Sequence, residues 1–190
     1  FRRRQRQMCI RDSTNTVVGH GLSAAPELIF LKRLDTTSSW FIYNSVVSGA
    51  GRGFFTSAAF DNSGVPTFGT STITFQTNDP FSAGADVIMY CFRSISGYSA
   101  IGSYNGTSSS QSITLGFKPS FLLVKETNNA TASSWRITDR VRGTNNLLFP
   151  DQLNSQDTGG TYARLDSNGF TQQGLDSNVS GQEYFYYAVK

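Results

Sequence analysis

Short apolar runs alternate with turn-rich stretches along the whole chain. ELIFLKRL (27–34), SWFIYN (39–44), STITFQ (71–76) and DVIMYCF (86–92) are followed by SFLLVKE (120–126), SWRITD (134–139), NGFTQQ (168–173) and EYFYYAV (183–189). Aromatic and β-branched residues fill these runs, and Gly, Asn and Ser bound them, a pattern that predicts eight strands of ordinary length rather than buried helices. The unbroken stretches LIFL and VIMYCF suit strands covered on both faces at the centre of a sandwich.

The two sets of four are variations on one unit. PELIFLK (26–32) recurs as PSFLLVK (119–125) at an offset of 93, and SSW (38–40) as SSW (133–135) at an offset of 95. Arg52-Gly53 answers Arg142-Gly143, and the closing GADVIMYCFR (84–93) answers GQEYFYYAVK (181–190) at an offset of 97. Ordered landmarks with slowly drifting offsets read as a duplication: repeat one over 14–93, a joint over 94–112, repeat two over 113–190. The joint is rich in Gly, Ser and Tyr and reads as a crossover with room for one edge strand. About four strands per repeat are too few to cover an independent core, so the pattern predicts a single all-β domain over 14–190, a β-sandwich (jelly-roll or lectin-like) of two pseudo-symmetric halves. Two separate domains are the alternative.

Composition changes this picture at one end only. Residues 1–13 read FRRRQRQMCIRDS, with five arginines and no strand pattern, and MCIRDS resembles the translation of a library-preparation adapter. The segment is read as a non-native or disordered tail and kept out of fold reasoning. The formal charge of +3 rests on it: without those five arginines and Asp12 the remainder stands near −1, which removes the electrostatic basis for nucleic-acid binding. No apolar run reaches the ~18 residues of a membrane helix. Cys9 and Cys91 are too few for a disulfide framework or a thiolate metal site, and two free thiols are expected.

The order of small motifs after Thr14 resembles a repeat domain, without assigned activity, found in marine phage proteins and in phage tail or tail-fibre genes. The residues that carry the resemblance are His20 to Leu22 with Pro26, Lys32, Trp40, Gly97 to Ser99, Gly102 to Gly106, Gly116 to Phe121, Trp135, Asp139 to Arg142, Ser167 to Phe170 and Tyr184 to Ala188. The resemblance implies a non-catalytic module of the virion. Its partners would be other virion proteins, or further copies in a fibre, with host-surface glycan as a ligand. It implies no cofactor and no catalytic residue. A glycan-binding or glycan-depolymerising domain of a tail spike is the rival reading.

Several residues carry chemistry that the sequence leaves open. His20, the only histidine, sits in a Gly-flanked turn that favours backbone bonding over catalysis, and neither a G-x-S-x-G nucleophile nor a pair of glycosidase acids is present. Asp61-Asn62-Ser63-Gly64 and Asp166-Ser167-Asn168-Gly169 combine carboxylate and amide oxygens before a glycine, which serves either a tight turn or a calcium loop. Trp40 and Trp135 are either core residues or flat platforms for a pyranose ring. Tyr98, Tyr104 and Asn105 in the joint, with Arg52 and Arg142, form the expected ligand-binding set, and loops 48–54, 98–104 and 144–157, gathered at one end of the sandwich, have the chemistry suited to a ligand. Asn105, Asn129 and Asn178 head glycosylation tripeptides, which have no meaning in a protein made by bacteria.

Overall fold

A computed structural model describes residues 16–76, 85–128, 133–144, 146–160, 162–174 and 177–190. Residues 1–13 with Cys9, and the tripeptide at Asn129, lie outside the described residues. Those described hold sixteen strands, all paired antiparallel, and no α-helix. No helix is long and apolar enough to cross a membrane.

The chain divides into two compact units, one of Phe1–Phe55 with Asp61–Arg93 and one of Thr56–Phe60 with Ser94–Lys190. The first contains β1 (Thr16–Gly19), β2 (Leu28–Arg33), β3 (Phe41–Asn44), β4 (Arg52–Phe54), β5 (Thr67–Phe68), β6 (Thr72–Phe75) and β7 (Val87–Phe92). They form a four-stranded sheet of order β4-β3-β2-β7 and a three-stranded sheet of order β1-β6-β5. Ile29, Leu31, Tyr43, Val87 and Met89 from the larger sheet share one core with Val18, Ile73 and Phe75 from the smaller.

The second unit contains β8 (Ser99–Asn105), β9 (Gln111–Thr114), β10 (Phe121–Glu126), β11 (Arg136–Asp139), β12 (Asn146–Leu147), β13 (Asp157–Thr158), β14 (Ala163–Asp166), β15 (Gly169–Gln172) and β16 (Glu183–Val189). Its sheets run β11-β10-β16-β8 and β14-β15-β9, with the short pair β12-β13 beside them. Leu122, Val124, Tyr104 and Tyr184 pack with Ala163, Leu165 and Phe170 in its core. All eight predicted runs are strands, and the joint supplies β8 as an edge strand. Seven and nine strands per unit among the described residues exceed the four expected, because short polar segments such as QSIT (β9) and ARLD (β14) are recruited by pairing with β15.

Side chains alternate across a strand, so Leu122 and Val124 face that core while Leu123 and Lys125 face the other way. On that second face lie the rings of Phe60, Trp135 and Phe185, with centroids 5.7, 6.1 and 6.2 Å apart. Phe60 reaches them because residues 56–60 belong to this unit: Ser133 N–H donates to the Ser57 carbonyl (3.0 Å) and Phe60 N–H to the Thr127 carbonyl (2.8 Å). Trp135 and Phe185 are fully buried. Replacing Phe60 by Ala takes one ring out of this cluster and is expected to cost about 3–5 kcal/mol. Urea unfolding reads the cost as a lowered midpoint, and a midpoint equal to that of the unaltered chain would show that the rings are not packed as described.

Candidate functional site

Lys125 is the most unusual ionisable group among the described residues. It ends the apolar run of β10 and is fully buried. Its Nζ donates to the carbonyls of Ser133 (2.6 Å) and Glu126 (2.8 Å), and at 3.4 Å to that of Ser57. Burial pushes its pKa down from 10.5 to about 8 against the pull of Asp151 and Glu126. A backbone amide holds Asp151 in place, since its Oδ1 accepts from Trp135 N–H at 3.2 Å. With its donors turned onto backbone carbonyls, this ammonium is a tie between chain segments rather than a nucleophile. The sequence signalled the position, a lysine closing the same apolar run twice, without indicating its role. In the first unit Lys32 donates likewise to the carbonyl of Ser38, and to its Oγ at 3.3 Å.

Within the second unit, Tyr104, Asn105 and Tyr98 fall on different parts of β8 and the turn before it. Tyr104 is a correction: its ring stacks on Tyr184 (5.1 Å, interplanar 13°) inside the core, and its hydroxyl donates to the Ser177 carbonyl at 2.7 Å. Burial pushes that hydroxyl's pKa well above its ordinary value. Segment 98–104, expected to present its tyrosines as a loop, is largely strand β8, and Tyr104 falls on the inward parity. Asn105 is exposed at the far end of β8, seven residues from Tyr98, or about 23 Å along an extended strand. Tyr98 is half-exposed, on a turn closed by its own N–H to the Ile95 carbonyl (2.9 Å). Gly97 in that turn has φ +72°, a conformation that favours glycine. The Tyr98 carbonyl accepts from Lys190 N–H at 2.8 Å.

The two arginines of the expected set are engaged within the fold. Arg52 grips Asp61 with Nε and Nη2, both at 2.8 Å, and Arg142 Nε donates to Asp139 Oδ2 at 2.5 Å. Partial burial pushes the Asp61 carboxyl up, but the bonds from Arg52 and Ser63 outweigh it and hold it below the ordinary carboxylate range. Asp166 is likewise held low by Arg164 Nε (2.6 Å) and the Thr171 hydroxyl (2.6 Å). Both carboxylates of the supposed calcium loops therefore serve their turns, and the second turn is the β14–β15 hairpin, with Asp166 opposite Gly169. Among the described residues no group of three His, Cys, Asp or Glu could hold a metal ion.

The remaining sites behave as structural groups. His20 is buried, its Nδ1 accepts from Leu22 N–H at 3.1 Å, and its Nε2 therefore carries the proton that meets the Gly69 carbonyl at 3.1 Å. Trp135 is core, whereas Trp40 is only partly buried, against Tyr90 at 6.3 Å. Cys91 is a free thiol whose pKa burial pushes up to about 12. Asn178 is buried, with its Oδ1 accepting from Thr107 N–H at 3.0 Å.

A family model described as "Domain of unknown function (DUF7483)" matches residues 10–190. No curated protein and no solved structure matches the chain.

The buried ammonium sets a pH dependence. Between about 8 and 10.5 the unfolded chain still holds the Lys125 proton that the folded chain has released, so stability rises with pH across that window. Measured against Lys125→Met by urea unfolding, the unaltered chain is expected to gain stability from pH 8 to pH 10.5 and to show no such trend from pH 6 to pH 7.5. A difference that is flat throughout, or that falls with pH, would mean that Lys125 is not buried as a charge.

Proposed function

The chain belongs to the DUF7483 family, and from that premise we propose that it is a non-catalytic structural module of a phage virion, in the tail or tail fibre, whose β-sandwich, jelly-roll or lectin-like, is made of two pseudo-symmetric repeats. The observation that carries the non-catalytic reading is that four arginines, the buried lysine and the histidine are each bonded to groups of the chain itself. Arg33 pairs with Asp35, Arg52 with Asp61, Arg142 with Asp139 and Arg164 with Asp166, while Lys125 is capped by carbonyls and His20 by backbone. Such an arrangement serves a rigid scaffold that meets other virion proteins or further copies of itself.

Strand registers support the duplication. Leu28 faces Asn44 and Phe92, as Phe121 faces Asp139 and Val189. Thr16 faces Phe75 as Gln111 faces Gln172, and Thr67 faces Thr74 as Arg164 faces Thr171. Flanking bonds correspond too: Leu34 N–H to Asp86 carbonyl with Thr127 N–H to Glu183 carbonyl, and His20 N–H to Ser71 carbonyl with Leu115 N–H to Asn168 carbonyl. These pairs differ by the offsets of 93, 95 and 97 read along the sequence. The matching of Arg52-Gly53 with Arg142-Gly143 is not kept, because the partner of Ile137, itself the counterpart of Ile42, is Leu148.

A second reading, host-glycan recognition, is favoured by the residue 95–98 turn, where the exposed faces of Ile95 and Tyr98 stand on a backbone pinned at both ends. The main reading predicts that antibodies to this chain label the tails of intact phage particles that encode it, and that the protein releases no new reducing ends from host polysaccharide. Unlabelled particles would overturn the virion assignment, and released ends the non-catalytic one. For the second reading, glycan-array binding lost in Tyr98→Ala is the expected result, and silence of the unaltered chain across host glycans would remove it.

A further inference from the structure

The two large sheets differ at one edge. In the second unit the order continues past β16 to β8, and the bond from Lys190 N–H to the Tyr98 carbonyl sets which residues of β16 face that neighbour. By alternation these are Tyr184, Tyr186 and Ala188, opposite Tyr104, Gly102 and Ala100. On the duplicated reading, which this inference rests on, the counterparts of these three residues are Val87, Met89 and Cys91 in β7. The bond from Leu34 N–H to the Asp86 carbonyl turns the even-numbered residues of β7 toward β2, so Val87, Met89 and Cys91 direct N–H and C=O groups outward. Among the described residues no strand lies against that edge.

Edges of stable sheets are usually blunted by charge, proline, a bulge or a covering segment. The opposite edge of the same sheet is covered, since β4 exchanges two 2.8 Å backbone bonds between Arg52 and Asp61. Outside β8, the Ile95–Ser99 bridge and the Ser94 hydroxyl on Ile101 N–H (3.0 Å) close part of the edge. Among the described residues β7 has no comparable guard: VIMYCF contains neither charge nor proline, and its nearest charges, Asp86 and Arg93, stand just beyond its ends. A run of this kind is built to be covered on both faces, which leaves its outer edge free of any charge that would repel an added strand.

We propose that the outer edge of β7 is a strand-acceptor site, which takes an extended, uncharged peptide segment from another polypeptide, antiparallel, as β16 takes β8. The main-chain groups of Val87, Met89 and Cys91 bond the incoming strand. Recognition by strand addition draws its affinity from such bonds and its selectivity from alternate side chains. The segment of suitable chemistry already in this chain is β8 itself, SAIGSYN, whose small residues Ala100 and Gly102 face the acceptor.

The test uses the isotope-labelled full chain and a synthetic SAIGSYN peptide as probe, with amide hydrogen exchange as the readout. In the free chain the outward amides of Val87, Met89 and Cys91 are expected to exchange faster than those of Ile88 and Tyr90, which are turned toward β2. Saturating peptide is expected to slow the first three by roughly tenfold or more, and the same peptide N-methylated at the alanine, glycine and tyrosine that face the acceptor is expected to slow none. No slowing at millimolar peptide would overturn the acceptor site. Slowing confined to other amides would overturn the correspondence of β7 with β16. Protection of the three amides in the free chain that grows with protein concentration would assign the edge to a second copy, and so overturn a peptide donor. None of these outcomes depends on whether the chain belongs to a virion.

Discussion

A charged lysine with no access to water has to be surrounded by acceptors, and that requirement fixes the centre of the second unit. The Lys125 ammonium takes carbonyls from Ser133, Glu126 and Ser57, which belong to three separate stretches of chain. Leaving such a charge unbonded in an apolar interior would cost more than most domains have in total stability. The segment around residue 57 and the segment before Trp135 are therefore held in place together. Once they are fixed, Phe60 and Trp135 close over Phe185, and the exclusion of water by those rings strengthens the bonds that positioned them.

What could be read from the sequence was whatever depends on burial of a continuous strand. β2, β7, β10 and β16 are dense in apolar residues because both of their faces are covered or nearly so, and they stand out by composition alone. β4 (RGF), β9 (QSIT) and β14 (ARLD) carry no such mark. They are strands because a neighbour offers a row of backbone donors and acceptors, and that information lies in β3 and β15 rather than in their own residues. Local propensity is weak where pairing is decided from outside the segment.

The candidate site was harder to read for a related reason. Tyr and Asn among Gly and Ser look like an adaptable surface until a strand direction assigns each residue to a face. Once β8 pairs with β16, Tyr104 shares a parity with the core-facing Tyr184 and leaves the surface, while Tyr98, one residue before the strand, stays on it. An arginine in a loop offers a fork of donors, and Arg52 and Arg142 both carry one. In the sequence nothing distinguishes a free fork from one already closed on Asp61 or Asp139, which lie nine and three residues away.

If the halves are copies, the lysine tie is one feature on which they have diverged. Lys32 keeps the bond to the first serine of its SSW, but it and Trp40 are only partly buried, and Trp40 rests against Tyr90 alone among the ring contacts described for it. Lys125 and Trp135 are sealed, and the difference is supplied by residues 56–60, which carry the Ser57 carbonyl and the Phe60 ring. That segment lies in repeat one by sequence and in the second unit by packing. A short stretch exchanged in this way lets one half acquire a dry, charged centre while the other keeps a wetter version of the same bond. Burial by a borrowed segment, rather than any change in the lysine or the tryptophan themselves, accounts for the different environments of two nearly identical sequence motifs.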